Sequence, residues 1–164
     1  MKKALSVVLC AALLAPLASC SAGSSKKEAD IDYTTLDTTW ECDYLKISTN
    51  SNWNVEDNLD YGSIISVHWD KNGTSPIFLT ISYMEYYKKL TQYELIKKWE
   101  AEKHSEDASI DDTFVKNGQA YIVTKNKSDI KNIEFCADKL HGSFSFYADD
   151  EDYVLKMIDS IVFY

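Results

Sequence analysis

Residues 114–125 read FVKNGQAYIVTK, and this stretch decides the fold because Asn117-Gly118 separates two runs of β-branched and aromatic residues. Asn-Gly is the dipeptide best suited to a type I′ turn, which matches the right-handed twist of the strands that it joins. Phe114 to Lys116 and Gln119 to Lys125 are therefore predicted to form an antiparallel hairpin.

Alternating apolar and polar residues on either side of this hairpin predict further strands. Three more strand pairs and a terminal strand are expected: Trp40 and Cys42 with Leu45 and Ile47, Gly62 to Trp69 with Ile77 to Tyr83, Ile133 to Ala137 with Gly142 to Ala148, and Ile161 to Tyr164. In the second pair the odd-numbered residues are predicted to be buried. Asn50 to Asp60 is rich in Asn, Asp and Ser, so we expect a loop around Trp53.

Two helices are predicted among the strands. Thr91 and Glu94 have the spacing of a capping box and open a helix that runs to about Lys103. The acidic residues 149–152 precede a second helix, which ends at about Ser160. Antiparallel hairpins with two helices predict an α+β fold in which helices cover a β-sheet.

The order of elements resembles the PsbP-like group, named for an extrinsic subunit of photosystem II. The resemblance covers about Thr38 to Tyr164. It is carried by Leu45 to Ile47 running through a polar turn to Trp53, Val115 to Tyr121, Phe144 to Tyr147, and Ile158 to Phe163. The group, which includes small bacterial lipoproteins and a yeast Ran-binding import factor, implies an α/β/α sandwich. Its members bind proteins or assist assemblies and share no catalytic residues, so the resemblance implies no active site.

The N-terminal end has the pattern of an export signal. Lys2 and Lys3 precede an apolar run of about a dozen residues, which is too short to span a bilayer core of about 30 Å. Leu17-Ala18-Ser19-Cys20 resembles a bacterial lipobox, in which the cysteine sulfur is acylated after cleavage. We therefore expect a signal peptide over 1–19, lipidated Cys20 with a flexible tether over 20–37, and a single PsbP-like α+β domain over 38–164. The alternative is an ordinary secretory signal that happens to contain Cys20.

The charge excludes several classes of partner. Loss of residues 1–19, which carry Lys2 and Lys3 and no acid, lowers the formal charge from −9 by two, to −11. Such a surface repels nucleic acid and anionic lipid. The chain contains no arginine, the residue that most often binds phosphate in a bidentate manner. No nucleic-acid partner and no cofactor are expected.

The four cysteines have different predicted fates. Cys10 leaves with the signal peptide and Cys20 is acylated, which leaves Cys42 and Cys136 in an oxidising compartment. The sequence permits a disulfide between these two residues. Two buried free thiols are the alternative.

Few residues have the pattern of a chemical site. His68, His104 and His141 are expected at a strand face, a helix end and a turn, and none has the spacing of a zinc site. Residues 149–152 are interpreted as helix capping rather than a calcium site, and Asp107, Asp111 and Asp112 as a solvated acidic loop before a strand. Tyr83, Tyr86 and Tyr87 form a candidate binding patch, since tyrosine is common at contact surfaces. The alternative is that Tyr86 and Tyr87 pack beneath the helix that follows.

These patterns favour a surface lipoprotein held by its lipid on the extracytoplasmic face of the cell membrane. We expect a non-enzymatic binding or assembly-accessory module whose partner is an unidentified protein. The main alternative is a glycan- or small-ligand-binding lipoprotein that uses exposed aromatics. An enzyme with an unfamiliar site is the third hypothesis. A hollow lined by exposed tyrosine or tryptophan would favour ligand binding, and a Cys–His contact would favour an enzyme.

Overall fold

The computed structural model describes residues 32–58, 63–71, 73, 76–102 and 104–164. The strands in these ranges are β1 (Thr38–Glu41), β2 (Leu45–Thr49), β3 (Asn54–Asn58), β4 (Ile64–Asp70), β5 (Ile77–Tyr83), β6 (Ser109–Lys116), β7 (Gln119–Lys125), β8 (Ile130–Ala137), β9 (Leu140–Tyr147) and β10 (Val162–Phe163). The helices are α1 (Gln92–Ala101) and α2 (Glu151–Asp159), and a short 3-10 turn, Ala148–Asp150, precedes α2.

The described strands form two sheets in which every neighbouring pair is antiparallel. One sheet has the order β1-β2-β10, and the other has the order β3-β4-β5-β9-β8-β7-β6. Two short helices accompany them, so the fold is α+β and dominated by its sheets, as the sequence predicted at this level.

The predicted hairpin turn is present between β6 and β7. Asn117 and Gly118 both have positive φ angles, 49° and 72°, as a type I′ turn requires. The β4–β5 hairpin is also confirmed, with the predicted odd-numbered residues buried, among them Ile65, Val67 and Leu79.

The loop predicted over Asn50 to Asp60 is wrong in part, because Asn54–Asn58 forms β3 and pairs with β4. All five of its side chains are exposed, and β3 is an edge strand. A strand in this position needs backbone pairing on one side only, so residues that disfavour strands are tolerated there.

The first helix begins where its capping residues predict. The Thr91 side chain accepts a hydrogen bond from the Glu94 backbone, and the Glu94 carboxylate accepts one from the Thr91 backbone at 2.8 Å. Helix α1 then contacts β6 and β7, and α2 contacts β2 and β9.

The apolar side chains form two clusters on opposite faces of β7. Tyr121 and Val123 belong to the larger cluster, together with buried residues of both sheets and of α2. Ala120 and Ile122 belong to a smaller cluster with Leu95 of α1. Because neighbouring side chains of a strand point to opposite faces, β7 is buried on both sides.

The domain begins earlier than the predicted boundary at residue 38, and residues 32–37 are not a free tether. The buried Asn50 side chain donates to the backbone oxygens of Asp32 (3.0 Å) and Thr35 (2.8 Å). Trp53 Nε1 donates to the Tyr33 oxygen at 3.1 Å, and Leu36 packs against the larger cluster. These interactions join two polar segments, so composition alone gave no sign of them. The rest of the predicted tether, the signal segment and Cys20 lie outside the described residues.

Candidate functional site

The segment that follows β5 is held against the β8–β9 turn by backbone hydrogen bonds. Met84 N–H donates to the Lys139 oxygen at 3.0 Å, and Lys139 N–H donates to the Tyr87 oxygen at 2.9 Å. A third bond, from Tyr87 N–H to the Met84 oxygen at 2.9 Å, closes the segment into a turn. The predicted tyrosine segment therefore has a fixed backbone, which sets where each of its rings points.

Tyr83 is the member of this segment that faces the three-stranded sheet. Its ring stacks on Tyr44, with centroids 4.7 Å apart and planes 12° apart. Its hydroxyl donates to Glu85 Oε1 at 2.7 Å, and Lys139 Nζ lies 3.4 Å from Glu85 Oε2. The hydrogen bond to Glu85 raises the pKa of Tyr83, and the same bond lowers the pKa of Glu85.

A third tyrosine is brought to this place by the end of the chain. Strand β10 pairs with β2, with Phe163 opposite Leu45, and Tyr164 N–H donates to the Tyr44 oxygen at 3.0 Å. The Tyr164 side chain remains 67% exposed. Partial desolvation, followed by the nearby Glu41 carboxylate, raises the pKa of Tyr164.

Two hollows have Tyr164 in their linings. One, of about 310 Å³, is lined by Tyr44, Tyr83, Asp138, Lys139, Leu140 and Tyr164. The other, of about 470 Å³, is lined by Glu41, Cys42, Asp43, Ile65 and Tyr164. We call the two hollows and the rings of Tyr44, Tyr83 and Tyr164 the tyrosine groove. It combines aromatic faces with carboxylates, a set of groups suited to holding a ligand.

The other tyrosines of the predicted patch lie apart from Tyr83. Tyr86 is 71% exposed and therefore does not pack beneath α1. Tyr87 is half-buried. The centroid of its ring lies 4.8 Å from that of Tyr86 and 5.9 Å from that of His141. Desolvation, followed by the interaction with Tyr86, raises the pKa of Tyr87. The structure thus divides the patch between the groove and the neighbourhood of His141.

The sequence did not identify Tyr44 or Tyr164 as site residues. Tyr44 lies in a predicted turn and Tyr164 in a predicted strand, and they are far apart in the chain. Only the pairing of β10 with β2 brings them together. The sequence signal for a site at these residues was weak. It amounts to a tyrosine at a turn, where the fold does not need to bury the ring.

Cys42 and Cys136 are both free thiols in the structure, so the disulfide that the sequence left open is not formed. Cys42 lies beside the larger cluster and lines the groove, whereas Cys136 belongs to the smaller cluster. Burial raises the pKa of the Cys136 thiol to about 11. A thiol with this pKa is protonated at neutral pH, which makes it a poor nucleophile.

The three histidines lie in separate surroundings. His141 is in β9 rather than in a turn, and its Nε2 lies 3.3 Å from Glu134 Oε2. The hydrogen bond to His141 lowers the pKa of the partly buried Glu134. His104 stacks on Trp99 after α1, and His68 of β4 stacks on Phe78. Among the described residues, no three His, Cys, Asp or Glu side chains are arranged to hold a metal ion.

Acidic residues away from the groove are engaged in ion pairs. Asp111 contacts Lys125 (2.5 Å) and Lys131 (2.9 Å). The predicted solvated loop is wrong for Asp111 and Asp112, which lie in β6, whereas Asp107 is exposed in the turn before it. Lys131 also contacts Glu151 in the first turn of α2 at 2.7 Å. Hydrogen bonds to Lys125 and Lys131 lower the pKa of Asp111. These contacts join β6, β8 and α2 and give this cluster a structural role.

No family model matches the chain, and no curated protein is significantly similar to it. Within the described residues, neither helix is long and apolar enough to cross a membrane. The site must therefore be interpreted from its own groups.

Proposed function

We propose that the protein is a surface lipoprotein, anchored to the cell membrane through acylated Cys20, that binds other molecules at the tyrosine groove and does not transform them. The resemblance of Leu17–Cys20 to a lipobox supports the anchor. The observation that carries the binding role is the stacked pair of Tyr44 and Tyr83 beside the exposed Tyr164. Exposed rings at a hollow are typical of contact surfaces.

The groove is set apart from the place where the chain enters the domain. The chain enters the domain near Asn50, at one end of β2, and the groove begins at Tyr44, at the other end. Five residues of β2 separate these points, so they lie about 20 Å apart along the strand.

We further propose that the domain is an α/β/α sandwich of the PsbP-like type. In support, α1 and α2 pack into clusters on opposite faces of β7. The PsbP-like resemblance implies proteins that bind partners or assist assemblies, which agrees with a binding role for the groove. This arrangement gives the groove a rigid support, because its tyrosines follow strands or turns of the two sheets.

Glycan binding is the second candidate function, and a hollow lined by the exposed Tyr164 is the feature that favours it. Tyr164 offers an exposed ring against which a sugar could stack, and Glu41 and Asp138 offer hydrogen-bond acceptors for its hydroxyls. A neutral glycan carries no basic group. Its binding would therefore not depend on attraction to the carboxylates, and this distinguishes it from a basic protein partner. The third hypothesis, an enzyme with an unfamiliar site, gains no support from Cys136, because burial raises the pKa of that thiol.

The anchor is tested by replacing the acylated residue. We expect the Cys20→Ala protein to move from the membrane fraction to the soluble fraction when cells are fractionated, because it lacks the sulfur that carries the acyl chains. Cys42→Ala is the matched control and should remain with the membrane. Unchanged membrane partition of Cys20→Ala would contradict the anchor.

The released protein then tests the groove. We expect Cys20→Ala protein to bind envelopes prepared from cells that lack the native protein, and Tyr83→Ala with Tyr164→Leu to weaken this binding at least tenfold. Tyr93→Ala with Tyr147→Ala removes two exposed rings outside the groove and is the control. Thermal melting of each variant reports its folding. Equal binding by the groove variant and the control would contradict the proposal.

A further inference from the structure

We propose, building on the binding role proposed above, that the tyrosine groove takes lysine or arginine side chains from an extended segment of a partner protein. Three features of the groove favour such a ligand: the charge of its walls, the chemistry of its rings, and the Tyr164 ring that its two hollows share.

The walls of the groove are acidic. Glu41 and Asp43 line the larger hollow, and Asp138 lines the smaller one. The basic side chain that lines these hollows, Lys139, is engaged by Glu85. A ligand that enters the groove therefore meets more negative than positive charge, which favours cations and repels phosphate and anionic lipid.

The rings add a second attraction for cations. A lysine ammonium or an arginine guanidinium is attracted to the face of a tyrosine ring within about 6 Å of its centroid. Tyr44 and Tyr83 are stacked on each other, and Tyr164, which lines both hollows, exposes most of its surface. Carboxylates beside aromatic faces thus provide both kinds of contact that a long basic side chain makes: the rings hold its stem, and the acids pair with its charged end.

The division of the groove fits an extended chain. In an extended peptide, residues i and i+2 point to the same side and lie about 7 Å apart. The two hollows share Tyr164 as a wall, so alternate basic residues of one segment could occupy them together.

A titration of the full-length protein in neutral detergent tests this inference. The probe is an end-blocked seven-residue peptide of alternating serine and lysine, and the matched probe has glutamine in place of lysine. We expect the lysine peptide to bind, with an affinity that falls as salt rises, and the glutamine peptide to bind at least tenfold more weakly.

Charge-matched variants locate the binding. Glu41→Gln, Asp43→Asn and Asp138→Asn together should weaken the lysine peptide at least tenfold. Glu56→Gln, Glu106→Gln and Asp149→Asn remove the same charge elsewhere and should weaken it less than threefold. Tyr164→Leu, at a largely exposed position where folding is not at risk, should also weaken it. Equal effects of the two charge sets would mean attraction to general acidity and would overturn the inference.

The outcomes separate this inference from the proposed function. If the glutamine peptide or a neutral oligosaccharide binds as well as the lysine peptide, and Tyr164→Leu weakens it, the preference for a basic partner is wrong while the groove remains a binding site. If no peptide binds but the envelope assay still depends on Tyr83 and Tyr164, the inference is again overturned alone. If neither assay depends on the tyrosines, both proposals fail.

Discussion

Asn50 is fully buried although it is polar, and its side chain explains why the domain extends to residue 32. Its amide nitrogen donates to the backbone oxygens of Asp32 and Thr35, and its Oδ1 accepts from Asn52 N–H at 2.8 Å. A buried amide is tolerated when its donors and acceptor have partners. One residue therefore fixes the segment through which the chain enters the domain.

We predict that Asn50→Ala lowers the free energy of unfolding by about 1–3 kcal/mol, because carbonyls of residues 32 and 35 lose their donor. The segment before β1 should also become sensitive to protease. Asn54→Ala, at an exposed position of β3, is the control and should change stability by less than about 0.5 kcal/mol. Denaturant unfolding and limited proteolysis measure the two effects. Equal stability of the two variants would contradict this role.

Glu134 gives the protein a predicted sensitivity to acid. Its hydrogen bond to His141 lowers its pKa in the folded state below the ordinary value of 4.5. A carboxyl with a lowered folded-state pKa stabilises the fold fully above its unfolded-state pKa, and this contribution is lost as pH falls through the folded-state value.

We therefore expect the stability of the native chain to fall as pH decreases below about 4.5, and this fall to be smaller in Glu134→Gln. Glu106→Gln, at an exposed position, should retain the native pH profile. Urea unfolding at a series of pH values measures the slopes. Identical slopes for Glu134→Gln and the native chain would show that this pair does not contribute.

At the scale of secondary-structure elements, sequence signals were sufficient to predict the features that depend on neighbouring residues. Asn117-Gly118 and the Thr91–Glu94 box were read correctly because the turn and the cap depend on neighbouring residues only. Strand β3 was missed because its formation depends on pairing with β4, which outweighs the low strand propensity of Asn and Asp. The groove was missed for the same reason, since Tyr44 and Tyr164 meet through the pairing of β2 with β10.

The β8–β9 pair contains a position where only glycine fits. Gly142 lies opposite Phe135, and a Cβ added there would lie 2.1 Å from the Phe135 ring. That ring is fully buried and contacts the rings of Tyr121 and Phe163, so it has no free space to move into. Phe135 thus covers the glycine of the neighbouring strand, an arrangement known to stabilise sheets.

We predict that Gly142→Ala lowers the free energy of unfolding by about 1–3 kcal/mol through overpacking. Ser143→Ala, on the next residue and the opposite face of β9, should change it by less than about 0.5 kcal/mol. Thermal and denaturant unfolding compare the two variants. A neutral Gly142→Ala would mean that the Phe135 ring can rearrange.

At the scale of the whole molecule, the two sheets are joined by a side-chain hydrogen bond, and the groove lies at one end of their strands. The Trp40 indole donates to Asp57 at 2.8 Å and so connects β1 of the smaller sheet to β3 of the larger. Tyr44, Tyr83 and Leu140 lie at one end of β2, β5 and β9, and the Asp32–Asn50 contacts lie at the other end of β2. The strands thus separate the entry of the chain from the groove.

A photocrosslinking measurement on intact cells tests this account most directly. A benzophenone-bearing amino acid replaces Tyr164 in the full-length protein, and in a second strain it replaces Tyr93, which is 68% exposed on α1. The account predicts a discrete adduct at position 164 that is lost when Tyr83→Ala is added, and no adduct of comparable yield at position 93. Equal adducts at both positions, or none at position 164, would contradict it.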